Sequence, residues 1–425
     1  MIPYSQMTKE QLAAEKESLL ASYNEFKARN LSLDMSRGKP GKVQLDLVND
    51  MMNVLGADSD YKAENGFDVR NYGLLDGIPE AKKLFADLLE VEPKNVIVGG
   101  NSSLNMMYDA IARAMCFGVL GGKKPWGKQK KIKFLCPAPG YDRHFAICEL
   151  FGIEMITIKM NSDGPDMDTI EKLVSKDASI KGIWCVPVYS NPDGITYSDE
   201  VVKRFANLSP KAKDFRIFWD NAYCVHHLTG EDKVLNIIDE CAKTGKPDMV
   251  FEFASTSKIS YPGAGVAVMI ASEDNINATK KQLGIQTIGS DKINQLRHVR
   301  YFKSVDGIKE HMKKLADTIT PKFEVVLSKL DSEIRPLEIA DWQTPNGGYF
   351  ISLNTFPECA KRVVALCKEA GVVLTGAGAT FPYGKDPEDK NIRIAPTFPP
   401  VEELQMAMEL FCICVKLASV EKLLG

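Results

Sequence analysis

Between about residues 95 and 270, short apolar, β-branched runs alternate with amphipathic stretches, and this alternation most narrows the folds open to the chain. The strand-like runs fall at 95–98, 132–135, 154–158, 182–186, 215–219, 249–253 and 266–270, with helical patterns at 104–117, 141–151, 168–174 and 199–207. Such interleaving needs crossover connections. It predicts an α/β fold with a mostly parallel central sheet and helices on both faces. Ligands of these sheets bind beyond the carboxyl ends of the strands, so the loops there are where chemistry is expected. After residue 270 the pattern changes to long helices at 292–301 and 306–329, then to a lighter α+β tail. Strands are expected there near 348–353, 372–374 and 392–395, with a last helix at 400–424. Three segments result: an N-terminal piece (1–60) packing with the small domain, a large domain (61–302) and a small C-terminal domain (303–425).

Composition removes several function classes. With 425 residues, 44% hydrophobic and 26% charged, the chain has enough apolar side chains for a sizeable core and is neither disordered nor fibrous. Lys plus Arg number 53 against 56 Asp plus Glu, a net charge of −3, so no basic surface for nucleic acid is expected. The lysine-rich run at 121–133 reads as a solvated loop. Ten cysteines are scattered without a CxxC pair or a zinc spacing, which points to reduced thiols, a cytoplasmic protein and no metal. The first 26 residues are charged and helix-like, and nothing approaches the roughly 18 apolar residues of a membrane span. Neither export nor membrane insertion is expected.

The chemistry-bearing residues sit where strands are predicted to end. Ser255-Thr256-Ser257-Lys258 follows the run at 249–253. A lysine at the end of a buried strand is desolvated, which lowers its pKa and makes its amine a nucleophile toward an aldehyde. Tyr189-Ser190-Asn191-Pro192-Asp193-Gly194 follows the run at 182–186, and Asp220-Asn221-Ala222-Tyr223 follows the run at 215–219. Singly, each reads equally well as a turn or a helix cap. Together, in this order, they point to one site. Gly99-Gly100-Asn101-Ser102-Ser103 lies between a predicted strand and a predicted helix, where amides and hydroxyls can hold an anion.

At these motifs the chain resembles the fold type I, class I aminotransferases. The likeness runs from about Ser36 to Arg393 and is nearest to the type Ic (MocR-like) aspartate aminotransferase subgroup, whose members carry segments similar to MSRGKP, NYGLLDG, PGYDRHF, YSNPDG and STSK. The resemblance implies pyridoxal 5′-phosphate held covalently by Lys258. Asp220 would face the ring nitrogen, Asn191 and Tyr223 the phenolate oxygen, and Tyr141 would stack on the ring. Gly100, Asn101, Ser102, Ser103, Ser255 and Ser257 would receive the phosphate. His144, three residues after Tyr141, would hold Asp220 from behind. Tyr72 would cross a homodimer interface to the neighbouring subunit's phosphate.

Arg393 lies in a predicted strand, where a buried guanidinium wants a bidentate carboxylate. In the resemblance that partner is the substrate's α-carboxylate. For a second, side-chain carboxylate the candidates are Arg143, favoured for its place beside Tyr141, and Arg37; Gly38 would allow close backbone approach. The expected reaction is ping-pong transfer of the amino group of L-aspartate or L-glutamate to a 2-oxo acid such as 2-oxoglutarate. The chain departs from most class I members in one respect: Ser260 to Val266 contains no arginine to balance the phosphate, leaving the serines, the amides or Lys39 for that task. A β-lyase or decarboxylase would use the same lysine. A cofactor-sensing regulator would need a DNA-binding module, and before Ser36 there is room for one helix. A nicotinamide dehydrogenase would need a GxGxxG after a strand, which is missing.

Overall fold

The computed structural model describes residues 2–425. Among them, thirteen strands follow in chain order: β1 (Leu33–Met35), β2 (Val96–Val98), β3 (Lys133–Ala138), β4 (Glu154–Asn161), β5 (Gly164–Pro165), β6 (Ile180–Cys185), β7 (Arg216–Asp220), β8 (Val250–Ser255), β9 (Ala267–Ala271), β10 (Ala340–Trp342), β11 (Ile351–Thr355), β12 (Val372–Leu374) and β13 (Asn391–Ile394). Eight of them form the central sheet, in the order β2-β9-β8-β7-β6-β3-β4-β5. β4, β3, β6, β7 and β8 pair in parallel, while β9 runs antiparallel to both β8 and β2, and β5 to β4. The expected mostly parallel α/β sheet is present. From β3 the chain moves outward to β4, whereas from β6 it proceeds the other way, so the order reverses between β3 and β6. Such a reversal opens a crevice at the strands' carboxyl ends.

Apart from β4, whose residues are partly exposed, and the short β5 beyond it, the strands of this sheet are buried on both faces, which is why they read as near-continuous apolar runs. Successive side chains alternate faces. Leu135, Ile183, Ile217 and Val250 join one core with Val201 and Phe205 of the helix Asp199–Asn207. Phe134, Trp184, Phe218 and Phe253 join a second with Ile111 of the helix Ser103–Phe117 and Phe145 of the helix Asp142–Leu150.

A third core gathers the two ends of the chain. Leu12, Leu19, Tyr23 and Phe26 of the helix Lys9–Ala28 share it with Leu404, Phe411 and Val415 of the helix Val401–Leu424. The first helix starts at a capping box on Thr8 and Gln11. β10, β11 and β13 form an antiparallel sheet, and β1 pairs in parallel with β12 from Leu33↔Val372 to Met35↔Leu374. No strand is expected at 33–35 from sequence, because three residues carry no periodicity. Yet β1 delivers Ser36 to Lys39 to the site described below. The helices Pro79–Leu89 and Glu273–Gln286 are further elements absent from the sequence reading. The lysine-rich run at 121–133 is not simply a solvated loop. Trp126 is fully buried within it, edge-on to Phe134 with centroids 5.6 Å apart. No helix among the described residues is long and apolar enough to cross a membrane.

Candidate active site

A cavity of about 540 Å³ opens where β3, β6, β7 and β8 end. The loop after β3 contributes Tyr141, that after β6 contributes Asn191, β7 ends in Asp220, and the turn after β8 carries Ser257 and Lys258. The far wall comes from the C-terminal part of the chain through Phe350, Thr375 and Arg393, and the mouth from Ser36, Arg37, Gly38 and Lys39.

Lys258 has no hydrogen-bond or ion-pair partner for its amine among the described residues. Its Nζ lies over the ring of Tyr223, 4.8 Å from the centroid, with the Tyr349 ring at 5.8 Å. Burial moves its pKa down from the usual lysine value; the charge of Asp220 opposes this and that of Arg393 adds to it. The amine is thereby biased toward the neutral, nucleophilic form. Burial raises the phenol of Tyr141 to about 12, with Asp220 contributing, and raises that of Tyr223 too, so both remain hydrogen-bond donors at neutral pH.

Asp220 is 3% exposed. Its Oδ2 lies 3.0 Å from His144 Nε2, while Oδ1 has no partner. His144 is fixed in turn by stacking on Trp184, centroids 4.3 Å apart and planes 8° apart, and by the edge of Tyr141. A buried carboxylate with one oxygen anchored and the other free suits a cationic N–H donor that approaches from the cavity.

At the other end, hydroxyls converge on the start of the helix Ser103–Phe117. Ser255 and Ser257 are joined at 3.0 Å, and Ser257 Oγ donates to the carbonyl of Asn101 at 3.3 Å. Ser102 is the N-cap of that helix but makes no side-chain capping bond, so its hydroxyl is available to the cavity it lines. This is the environment that favours an anion.

Arg393 projects from mid-β13 and is nine-tenths buried. It donates to Asp142 Oδ1 at 3.0 Å, Asn191 Oδ1 at 3.2 Å and Thr375 Oγ1 at 3.3 Å. The bond to Asn191 turns that amide so that its nitrogen is left to donate elsewhere. Phe350 faces the guanidinium, 4.9 Å from its ring centroid. Gly38 also packs on Phe350, where a Cβ would meet the ring at 2.4 Å.

A model of the aspartate amino-transferase family matches residues 7–425. The chain belongs to this family. An aspartate aminotransferase of Corynebacterium glutamicum is 46% identical over 413 residues, covering 97% of this chain and 95% of that one. The crystal structure of an aspartate transaminase from the same organism superposes with a TM-score of 0.96 at 45% identity, covering 99% of both chains. The α-aminoadipate aminotransferase of Thermus thermophilus, solved with N-(5′-phosphopyridoxyl)-L-leucine, shares the fold alone, at 18% identity and a TM-score of 0.74 over 93% of this chain and 95% of that one.

Of the site residues expected from sequence, the cavity of this aminotransferase brings together Lys258, Asp220, Tyr223, Tyr141, Asn191, Ser102, Ser103, Ser255, Ser257, Arg393, Arg143, Arg37 and Gly38. His144 stands behind it. Gly100, Asn101 and Tyr72 do not line it, and Tyr72 is 79% exposed. Neither Arg37 nor Arg143 has a salt-bridge partner among the described residues. Lys39 does, 3.7 Å from Asp34, and its amine also rests on the Phe398 ring. Asp142, Phe350, Thr375 and Tyr349 escaped the sequence reading. A signal for Phe350 and Tyr349 was available in Gly347-Gly348, since a Cβ at Gly347 would sit 2.3 Å from the His226 carbonyl and 2.4 Å from the Tyr189 ring.

Proposed function

We propose that this aminotransferase binds pyridoxal 5′-phosphate and moves the amino group of L-aspartate or L-glutamate to a 2-oxo acid such as 2-oxoglutarate. The carrying observation is that an unpaired, desolvated lysine, a carboxylate with one free buried oxygen and a buried arginine face one cavity. The residues present fit the cofactor. Asp220 Oδ1 lacks the donor a protonated ring nitrogen would supply, and the hydroxyls of Ser102 and Ser103 can donate to a phosphate, as can those of Ser255 and Ser257 once they turn from each other and from the Asn101 carbonyl.

When bound, the cofactor supplies an aldehyde to join to an amine and a ring able to accept an electron pair from the substrate's α-carbon. The protein's residues do the rest. Lys258 would hold the cofactor, and its neutral amine would serve as the base that moves a proton at the substrate's α-carbon. Asp220, kept in place by His144, would keep the ring nitrogen protonated. Asn191 and Tyr223 would donate to the ring oxygen, and Tyr141 would cover the ring face. Arg393 receives the α-carboxylate, and Arg143 the side-chain carboxylate of a dicarboxylic substrate. Gly100 and Asn101 support the phosphate-binding turn.

The same reading makes the active unit a homodimer in which the exposed Tyr72 reaches the neighbouring subunit's phosphate, and places the protein in the cytoplasm. It also treats residues 1–60 with 303–425 as one body and 61–302 as the other, supported by the core shared between the first and last helices. The test is Lys258→Ala. The purified variant is expected to lose the visible absorbance of bound cofactor and transamination between L-aspartate and 2-oxoglutarate, with an unchanged far-UV spectrum. Full activity would reject the assignment.

A further inference from the structure

The cation assigned to the substrate's α-carboxylate already holds a carboxylate of the chain itself. Asp142 Oδ1 is 3.0 Å from Arg393 Nη1. The side chain of Arg393 is 6% exposed, whereas that of Asp142 is 34% exposed. Bidentate binding needs two adjacent donors of the guanidinium, either Nε with Nη2 or Nη1 with Nη2. Nε is engaged by Thr375, and Nη1 is shared between Asn191 and Asp142. Nη2 has no protein partner among the described residues. One edge therefore opens fully only when a partner of Nη1 leaves.

Of the two, Asp142 is the one able to go. Asn191 is buried within its loop, while Asp142 is the first residue of the helix Asp142–Leu150, is partly solvated, and follows an N-cap, Tyr141, that makes no side-chain capping bond. The unpaired amides and positive end of the helix stabilise a negative charge there, so Asp142 does not lose all its partners on leaving Arg393. Without Asp142, the buried guanidinium would have no carboxylate partner among the described residues.

We propose that Asp142 is a substrate-competing carboxylate. It neutralises Arg393 in the empty site and is displaced by the α-carboxylate of each incoming amino or oxo acid, so it sets the affinity for all of them alike. The inference rests on the assignment of Arg393 made above. Because the Asp142–Arg393 pair is broken before the chemistry, its effect falls on uniform binding and therefore on KM more than on kcat.

The test is calorimetric titration of the cofactor-loaded enzyme with maleate, a dicarboxylate that carries no amino or oxo group to transfer, in wild type, Asp142→Asn, Asp142→Ser and Arg393→Lys. Losing one competing charge-assisted hydrogen bond is expected to tighten maleate binding by about tenfold in both Asp142 variants. KM for L-aspartate and L-alanine should fall by a common factor, larger than any change in kcat. Binding that is unchanged or weaker in both variants overturns the proposal and makes Asp142 a fixed buttress of Arg393. The Arg393→Lys arm separates the two ideas. Loss of maleate there upholds the carboxylate site whatever Asp142 does, whereas wild-type affinity there removes that site and the proposal with it.

Discussion

His144 Nε2 and Asp220 Oδ2 lie 3.0 Å apart behind the cavity, with the two residues 1% and 3% exposed. The contact fixes which oxygen of Asp220 is left for a ligand. Replacing His144 by Phe keeps a ring to stack on Trp184 but strips the buried carboxylate of its one side-chain partner among the described residues. Hydrogen bonds to charged groups contribute about 1.5–3 kcal/mol, so kcat is expected to fall roughly 10- to 100-fold. The visible band of the bound cofactor should shift as well. A variant with wild-type kcat and spectrum would show that the contact only packs the core.

Lys258 is held against its preference for charge. Its folded pKa is lowered by burial while the unfolded chain keeps the usual 10.5, so between the folded pKa and 10.5 the unfolded state binds more protons. The lysine's opposition to folding is full below the folded pKa and fades as pH rises through 10.5. The cofactor-free Lys258→Met variant is expected to melt a few degrees above the cofactor-free wild type at pH 7, with the gap narrowing as pH rises and closing only above 10.5. An unaltered or lower Tm at pH 7 would mean that the amine is well solvated.

Glu252 gives the opposite sign. On β8 it is fully desolvated, accepts from Asn221 Nδ2 at 2.9 Å, and has its pKa pushed up to about 7 from 4.5. Between pH 4.5 and 7 the folded state binds more protons than the unfolded one. This carboxyl's contribution is complete below pH 4.5 and is lost as pH rises through 7. Glu252→Gln, neutral throughout, should match the wild type near pH 4 and exceed it progressively up to pH 7, by at most about 1.4 kcal/mol per pH unit, then run parallel. Thermal melts across pH 4–9 read this directly.

The two unpaired arginines separate by substrate. With Arg143 reading the side-chain carboxylate, Arg143→Ala is expected to raise KM for L-aspartate by about 10- to 100-fold, the worth of a charged hydrogen bond, and to leave KM for L-alanine nearly unchanged. Arg37→Ala should show no such split. If Arg37→Ala carries the selective loss, the assignment passes to the residue that β1 delivers.

What the sequence conveyed and what it withheld follow from how each residue is placed. Central strands buried on both faces announce themselves as apolar runs, and residues at their carboxyl ends, such as Asp220 and Lys258, share a crevice by topology alone. Seven of the sheet's eight strands therefore emerged near their observed bounds, the run expected at 266–270 being β9 at Ala267–Ala271, while the two-residue edge strand β5 was too short to show. The antiparallel direction of β9 did not, because direction depends on the connection and not on the strand's own residues. β1 and Phe350 reach the site only through packing between segments hundreds of residues apart. Asp142 stood next to Tyr141 in the sequence, but its role depends on Arg393, 251 residues away.

Tyr72 tests the dimer. Its ring is 79% exposed and does not line the cavity of its own chain, so a phenol that serves catalysis must serve it elsewhere. Tyr72→Ala and Lys258→Ala homodimers are each expected to be strongly impaired. In a homodimer-sharing arrangement, a mixed dimer of the two variants has one site lacking both residues and another lacking neither. Random reassembly of equal amounts should then restore about a quarter of wild-type activity, since half the dimers are mixed and each carries one intact site. If Tyr72 acts within its own subunit, every site in the mixture lacks one residue and reassembly restores nothing. Because the two variants are dead for different reasons, recovered turnover in dimers purified through two different tags has no source other than a shared site.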